Sequence, residues 1–117
     1  GADLLRKGPA AAPLSQRAQA WLALGAFIAE ADGSPAPLLE RVEENPGDLE
    51  ARYQLAAHQV RGHRYADAIE QLLAIVQRSR SFRDDAARKT LLAIFDVLGS
   101  EHPLSVEGRK RLANLLF

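Results

Sequence analysis

The run Tyr65-Ala66-Asp67-Ala68-Ile69-Glu70-Gln71-Leu72-Leu73-Ala74-Ile75-Val76-Gln77-Arg78 decides the fold. Tyr65, Ala68, Ile69, Leu72, Leu73 and Val76 fall at i, i+3, i+4, i+7, i+8 and i+11, the spacing that gathers apolar groups on one face of an α-helix. Asp67, Glu70, Gln71, Gln77 and Arg78 take the other face. A helix with one apolar stripe must bury it against another element. The spacing therefore predicts a helix over 65–79 that packs on helical neighbours.

Working outward, Gly62-His63-Arg64 reads as a turn, and Asp48 as the N-cap of a helix over 49–61. In that helix Leu49, Tyr53, Ala56, Ala57 and Val60 share a stripe. Asn45-Pro46-Gly47 breaks it from a shorter helix over 36–44, with Leu38, Leu39 and Val42 inward. Further back, a helix over 14–31 is apolar nearly all round. Leu14, Ala18, Trp21, Leu22, Gly25, Ile28 and Ala29 form one stripe, and Ala20, Leu24 and Phe27 lie off it. Such a helix packs on more than one side; one side faces the helices that follow, and the other is expected to face an upstream helix. Trp21 reads most simply as core, or else as part of that second face. Downstream, Asp84-Asp85 reads as an N-cap opening a helix to about Leu98, with Ala87, Leu91, Ile94, Phe95 and Leu98 inward. Gly99-Ser100 stops it, and Pro103 starts a last helix over 103–117. No stretch reads as a strand.

Residues 49–82 make a unit of two antiparallel helices, 34 residues long, that resembles a tetratricopeptide repeat. Leu55-Ala56 matches the Leu-small pair of the repeat's first helix. Tyr65, Ala68, Ile69 and Leu72 match the signature of its second. A small Ala56 lets the first helix approach Ala68, while Leu72 and Val76 fill the groove towards the next repeat. Arg52 stands where the consensus has Trp, and Gly62 comes one residue early. One repeat cannot bury its own faces, so the flanking helices must stack on it. The expected fold is all-α: an antiparallel helical repeat, a fragment of right-handed α-solenoid with five to six helices. It covers 14–117, and 1–13 are read as the end of an upstream helix (Asp3 to Lys7) plus a Gly/Pro connector.

From 39 to 117 the chain also resembles the C-terminal part of the YbbN/CnoX family, thioredoxin-like proteins also called chaperedoxins. The matching pieces are Glu44-Asn45-Pro46-Gly47-Asp48, Ala51-Arg52, Leu55-Ala56, Arg88-Lys89-Thr90, Val97-Leu98-Gly99, Arg109-Lys110-Arg111-Leu112 and Leu115-Leu116-Phe117. The resemblance implies a TPR-like region that follows a thioredoxin-fold domain in a cytoplasmic, bacterial co-chaperone. Its implied partners are a GroEL-type chaperonin, unfolded client proteins and that thioredoxin-fold domain. The last helix would be the chaperonin contact, with Arg109, Lys110, Arg111, Leu112, Leu115, Leu116 and Phe117 as its partner-binding residues. Amphipathic helices that dock in apolar grooves use anchors at this spacing. The alternative is that Leu112 and Leu116 cap the solenoid and the basic run is its solvated face. Leu115 and Phe117 are the better candidates for exposure.

Composition narrows the remaining classes. Lys plus Arg and Asp plus Glu are 15 each, so net charge is zero, and Cys and Met are absent. A zero balance argues against a dedicated nucleic-acid binder. The lack of Cys excludes a disulfide frame, a thiolate metal site and a Cys nucleophile in this chain. With Gly1 first and no Met, the chain is expected to be a piece of something longer. The longest near-apolar run, 18–31, is shorter than the about 20 residues of a membrane span, and no signal peptide is evident. His58, His63 and His102 are too scattered for a metal cluster. No Ser-His-acid arrangement, Walker A or HExxH motif is present. The expectation is a non-enzymatic domain without cofactor. Two readings stay open beside the co-chaperone: a generic repeat that takes peptides in a shallow groove, and a structural unit that dimerises through the helix over 14–31.

Overall fold

The computed structural model describes residues 15–117. Within them six helices follow one another and no strand occurs: α1 Gln16–Ile28, α2 Ala36–Glu44, α3 Leu49–Arg61, α4 Tyr65–Arg78, α5 Ala86–Leu98 and α6 Pro103–Leu116. The all-α expectation holds, and five of the six helices lie within two residues of their predicted bounds. The helix end proposed for Asp3 to Lys7, and Leu14, lie outside the described residues.

The starts and stops follow the local chemistry. The Asp48 carboxylate accepts the Ala51 N–H at 3.1 Å and caps α3. Ser15 Oγ accepts from Ala18 N and caps α1. The early Gly62 has a consequence: the left-handed residue of the α3–α4 turn is His63, at φ 61°. Arg52, in place of the consensus Trp, donates to the Pro46 carbonyl at 2.7 Å and to Gln71 Oε1 at 2.8 Å. A hydrogen-bonding clamp between α3 and α4 thus stands where an indole would have packed. Ala56 and Ala68 are both fully buried, as close approach of those helices requires.

Consecutive helices pair from α2 to α6, and α4 also touches α6. Helix α1 departs from this order. It packs chiefly on α5, and to a lesser extent on α3, with little help from its sequence neighbour α2. Most of the core is one cluster drawn from α1 and α3–α6, and a smaller one joins Leu38 and Val42 of α2 to Ala51 and Leu55 of α3. The stripe predicted for α1 is corrected here. Ala20, Leu24 and Phe27 are the buried residues, while Trp21 is 54% and Leu22 63% exposed. Trp21 is therefore not core. The helix is apolar on both sides, so periodicity alone could not say which side meets α5. Its last turn tightens, with Glu30 N bonding Phe27 O and Ala31 N bonding Ile28 O, so α1 ends before the predicted Ala31.

The Asp84-Asp85 cap is also corrected. Arg83, Asp84 and Asp85 all adopt left-handed backbone, at φ 46°, 57° and 69°, and Asp85 precedes α5 without a side-chain capping bond. Asp85 instead accepts from Arg88 at 2.6 Å. Left-handed conformations cost non-glycine residues about 1–2 kcal/mol each. What this turn gains is the placement of Arg83. Its guanidinium lies 4.7 Å from the Tyr53 ring centre, donates to Glu30 at 2.8 and 2.9 Å, and pairs with Glu50. One side chain thus ties the end of α1 to the first turn of α3.

Three carboxylates are held below their ordinary values by such pairs. Hydrogen bonding to Arg41, then to the Ala51 N–H, lowers Asp48 from 3.8. Burial pushes Glu50 up, but hydrogen bonds from Arg83 and Gln54 outweigh it and hold it below 4.5. A hydrogen bond from Arg111 lowers Glu70 against a smaller opposing effect of burial. A lowered folded pKa contributes stability that is present above the unfolded value and lost as pH falls through the folded one. Thermal unfolding followed by circular dichroism is therefore expected to be level from pH 7 to about pH 5 and to fall below it. Exposed pairs contribute only about 0.2–1 kcal/mol each, so the drop is moderate, and Glu50→Gln should blunt it. A midpoint unchanged down to pH 3 would contradict this account.

Candidate protein-docking surfaces

Helix α6 is built to sit down on α4 and α5. Gly99, at φ 101°, ends α5. His102 then caps α6, its Nδ1 accepting the Leu104 N–H at 3.1 Å. Ser105 is fully buried and donates to the Phe95 carbonyl at 3.2 Å, which anchors the first turn of α6 on α5. One turn later Gly108 faces the Phe95 ring. A Cβ there would lie 2.5 Å from the ring, so only glycine lets α6 approach this closely.

The seven residues expected to bind a partner divide into two sets. Leu112 is buried, and Leu115 and Leu116 are half-buried against the core. Arg109 donates to Asp96 at 3.2 Å and lies 5.8 Å from the Phe95 ring centre. Arg111 pairs with Glu70 of α4. These residues hold α6 to the domain. Lys110 and Phe117 point outward, and Phe117 is fully exposed. Of the two expected to be more exposed, Phe117 is and Leu115 is only partly so. Beside Leu115, a cleft of about 310 Å³ opens between α4 and α6, lined by Glu70, Leu73, Ala74, Gln77 and Asn114 among others. The outward set is thus a lysine, an aromatic residue and the rim of a shallow cleft.

Two further surfaces lie away from α6: the outer side of α1, which the sequence already offers as a dimerising face, and a pocket that the sequence does not indicate. The face that α3 and α5 present to α1 is covered. Phe27 meets Tyr53 edge-to-face with ring centres 4.9 Å apart, and Arg17 donates to the Val97 carbonyl at 3.0 Å. Asp96 links three helices, accepting from Gln16 of α1 as well as from Arg109 of α6. The outer side of α1, with Trp21 and Leu22, remains exposed and apolar. A second pocket, of about 360 Å³, lies between the start of α2 and the end of α3.

The histidines fall apart as expected: His58 within α3, His63 in the α3–α4 turn and His102 at the start of α6. Among the described residues no group of three or more His, Cys, Asp or Glu could hold a metal ion. No described helix is long and apolar enough to cross a membrane.

Comparison with known proteins agrees with this architecture. No curated protein and no solved structure matches the chain. The tetratricopeptide repeat family matches residues 28–117, which takes in α2 to α6 and only the last residue of α1. With that span over the stacked helices, the chain belongs to the tetratricopeptide repeat family, whose domains are helical modules for protein–protein interaction.

Proposed function

We propose that this chain is the docking region of a thioredoxin-like co-chaperone, and that it contacts a GroEL-type chaperonin through the outward side of α6. The supporting observation is the division of α6. Leu112, Arg109 and Arg111 fasten the helix to α4 and α5, while Lys110 and Phe117 stand in solvent. A rigidly held helix that leaves an aromatic and a cation free is pre-organised for a groove on a partner. The resemblance of 39–117 to the chaperedoxin C-terminal region supplies the identity of that partner. Work of this kind needs shape and apolar complementarity and no cofactor.

The reading is tested with surface substitutions, because removing 109–117 would also take away buried Leu112. The double variant Lys110→Glu/Phe117→Asp is expected to unfold within about 0.5 kcal/mol of wild type, as surface changes do. It is expected to bind chaperonin at least about tenfold more weakly, a loss of some 1.4 kcal/mol. Unaltered binding in surface plasmon resonance would remove α6 from the contact. The runner-up groove reading is less well supported, since α1 already lies over α3 and α5. A second reading, self-association, is favoured by exposed Trp21 and Leu22. If it holds, sedimentation velocity will show dimers that Leu22→Glu disperses; a wholly monomeric wild type rejects it.

A further inference from the structure

Arg41, Arg64, Arg83, Arg88, Arg109 and Arg111 each meet a carboxylate. Arg52 and Arg78 meet none among the described residues, yet they stand together. Arg52, half-buried near the start of α3, is fixed by its bonds to the Pro46 carbonyl and to Gln71. Arg78, in the last turn of α4, brings Nη1 to 3.4 Å from where a Cβ on Gly47 would lie. Both guanidinium groups therefore meet the α2–α3 turn, at consecutive residues. The turn itself is held in shape. Gly47 N–H donates to Asn45 Oδ1 at 3.0 Å, and Asp48 N–H to the Asn45 carbonyl at 2.9 Å. The NH2 of Asn45 remains as a further donor.

The charge of this pair is uncompensated. Burial, and after it the neighbouring Arg78 charge, lower Arg52 from its ordinary value. Hydrogen bonds to Glu50 and Glu70 instead raise Arg83 and Arg111. The acids beside the turn do not supply the balance. Asp48 is engaged by Arg41 and by the Ala51 N–H, and Glu44 is exposed, with no ion pair among the described residues. Like charges held close without a counter-charge repel, and a partly desolvated cation is ordinarily paired.

From this juxtaposition we infer that the α2–α3 turn and the end of α4 form a binding site for a phosphoryl group, either inorganic phosphate or a phosphomonoester. Two adjacent guanidinium groups match two negative charges on one small group. A phosphoryl group carries about −1.5 to −2 at pH 7, whereas a carboxylate supplies a single charge. Guanidinium N–H groups also fit phosphate oxygens two at a time. The bonds of Arg52 use Nε and Nη1, so its Nη2 is uncommitted. Arg78 keeps its whole fork and is exposed, so a ligand reaches the pair from solvent. The site involves neither Lys110 nor Phe117 and does not depend on the chaperonin reading.

The test compares thermal unfolding in sodium phosphate with unfolding in sodium chloride of equal ionic strength, near neutral pH. Phosphate is expected to raise the wild-type midpoint, as a ligand of the folded state does. It is also expected to move the NMR signals of the Gly47 amide and of the Arg52 and Arg78 Nε–H groups. Sodium acetate should do neither. Arg78→Gln, at an exposed position, should bind phosphate about tenfold more weakly, with a midpoint in chloride no lower than wild type's. Arg61→Gln removes the same charge from the far end of α3 and should bind as wild type does. Acetyl-phosphoserine-amide separates the two sources. Binding tighter than that of inorganic phosphate assigns the site to a phosphorylated side chain, and weaker binding assigns it to the free ion; both uphold it. The inference is overturned by equal midpoints in phosphate and chloride at millimolar phosphate, by equal effects of acetate and phosphate, or by equal losses in Arg61→Gln and Arg78→Gln.

Discussion

Phe95→Ala is expected to lower the free energy of unfolding by about 3–5 kcal/mol, the range for deleting a buried aromatic ring. The ring is fully buried between α5 and α6, with Gly108 against one side. Arg109 lies near it, and Ser105 is bonded to the same residue's carbonyl. Against a total stability of about 5–15 kcal/mol, that loss threatens the fold, so urea denaturation at low temperature is the measurement. A cycle with Gly108 makes the explanation specific. Alone, Gly108→Ala overpacks the ring and costs about 1–3 kcal/mol, more than the about 1 kcal/mol that alanine gains over glycine in a helix. In the Phe95→Ala background the obstruction is gone, and the same change should stabilise. If the two effects simply added, the Gly108–Phe95 contact would not be what sets the approach of α6.

Why the inward side of α6 was readable in its leucines but not in its arginines follows from these contacts. Its stripe of Gly108, Leu112, Leu115 and Leu116 is local and follows the helical period. The partners of Arg109 and Arg111 are Asp96 and Glu70, and nothing in the spacing of the sequence pairs them. The basic run was therefore legible as a patch but not as two fastened arginines around one outward lysine. The same limit explains the Asp84-Asp85 error. An acidic pair before a helix is an ordinary cap signal, yet the aromatic ring of Tyr53 and the carboxylates of Glu30 and Glu50 draw Arg83 into a left-handed turn. Tertiary attraction overrides the local preference there. Helix α1 shows the limit most plainly, because a segment apolar on every side fits a core on any of them.

Phe27→Ala is expected to release α1. The ring is buried, meets Tyr53 edge-to-face, and its loss should cost about 3–5 kcal/mol. The polar ties at the two ends of α1 do not replace it. Gln16 to Asp96, Arg17 to Val97 and Glu30 to Arg83 are exposed or part-buried contacts, and the exposed ones contribute about 0.2–1 kcal/mol each. Among the described residues nothing packs on the other side of α1, where Trp21 and Leu22 are exposed. The family match covers the helices from α2 onward, so the stacked part can stay folded while α1 leaves. Hydrogen exchange read by mass spectrometry should show fast exchange confined to 16–28, slow exchange kept in α3 to α5, and new binding of a hydrophobic dye. Loss of protection spread evenly over every helix would instead make α1 an inseparable part of one core. The outcome matters for function. A detachable α1 means that the α3–α5 face is closed by an added helix, and that a partner able to displace α1 would find a groove the folded chain keeps covered.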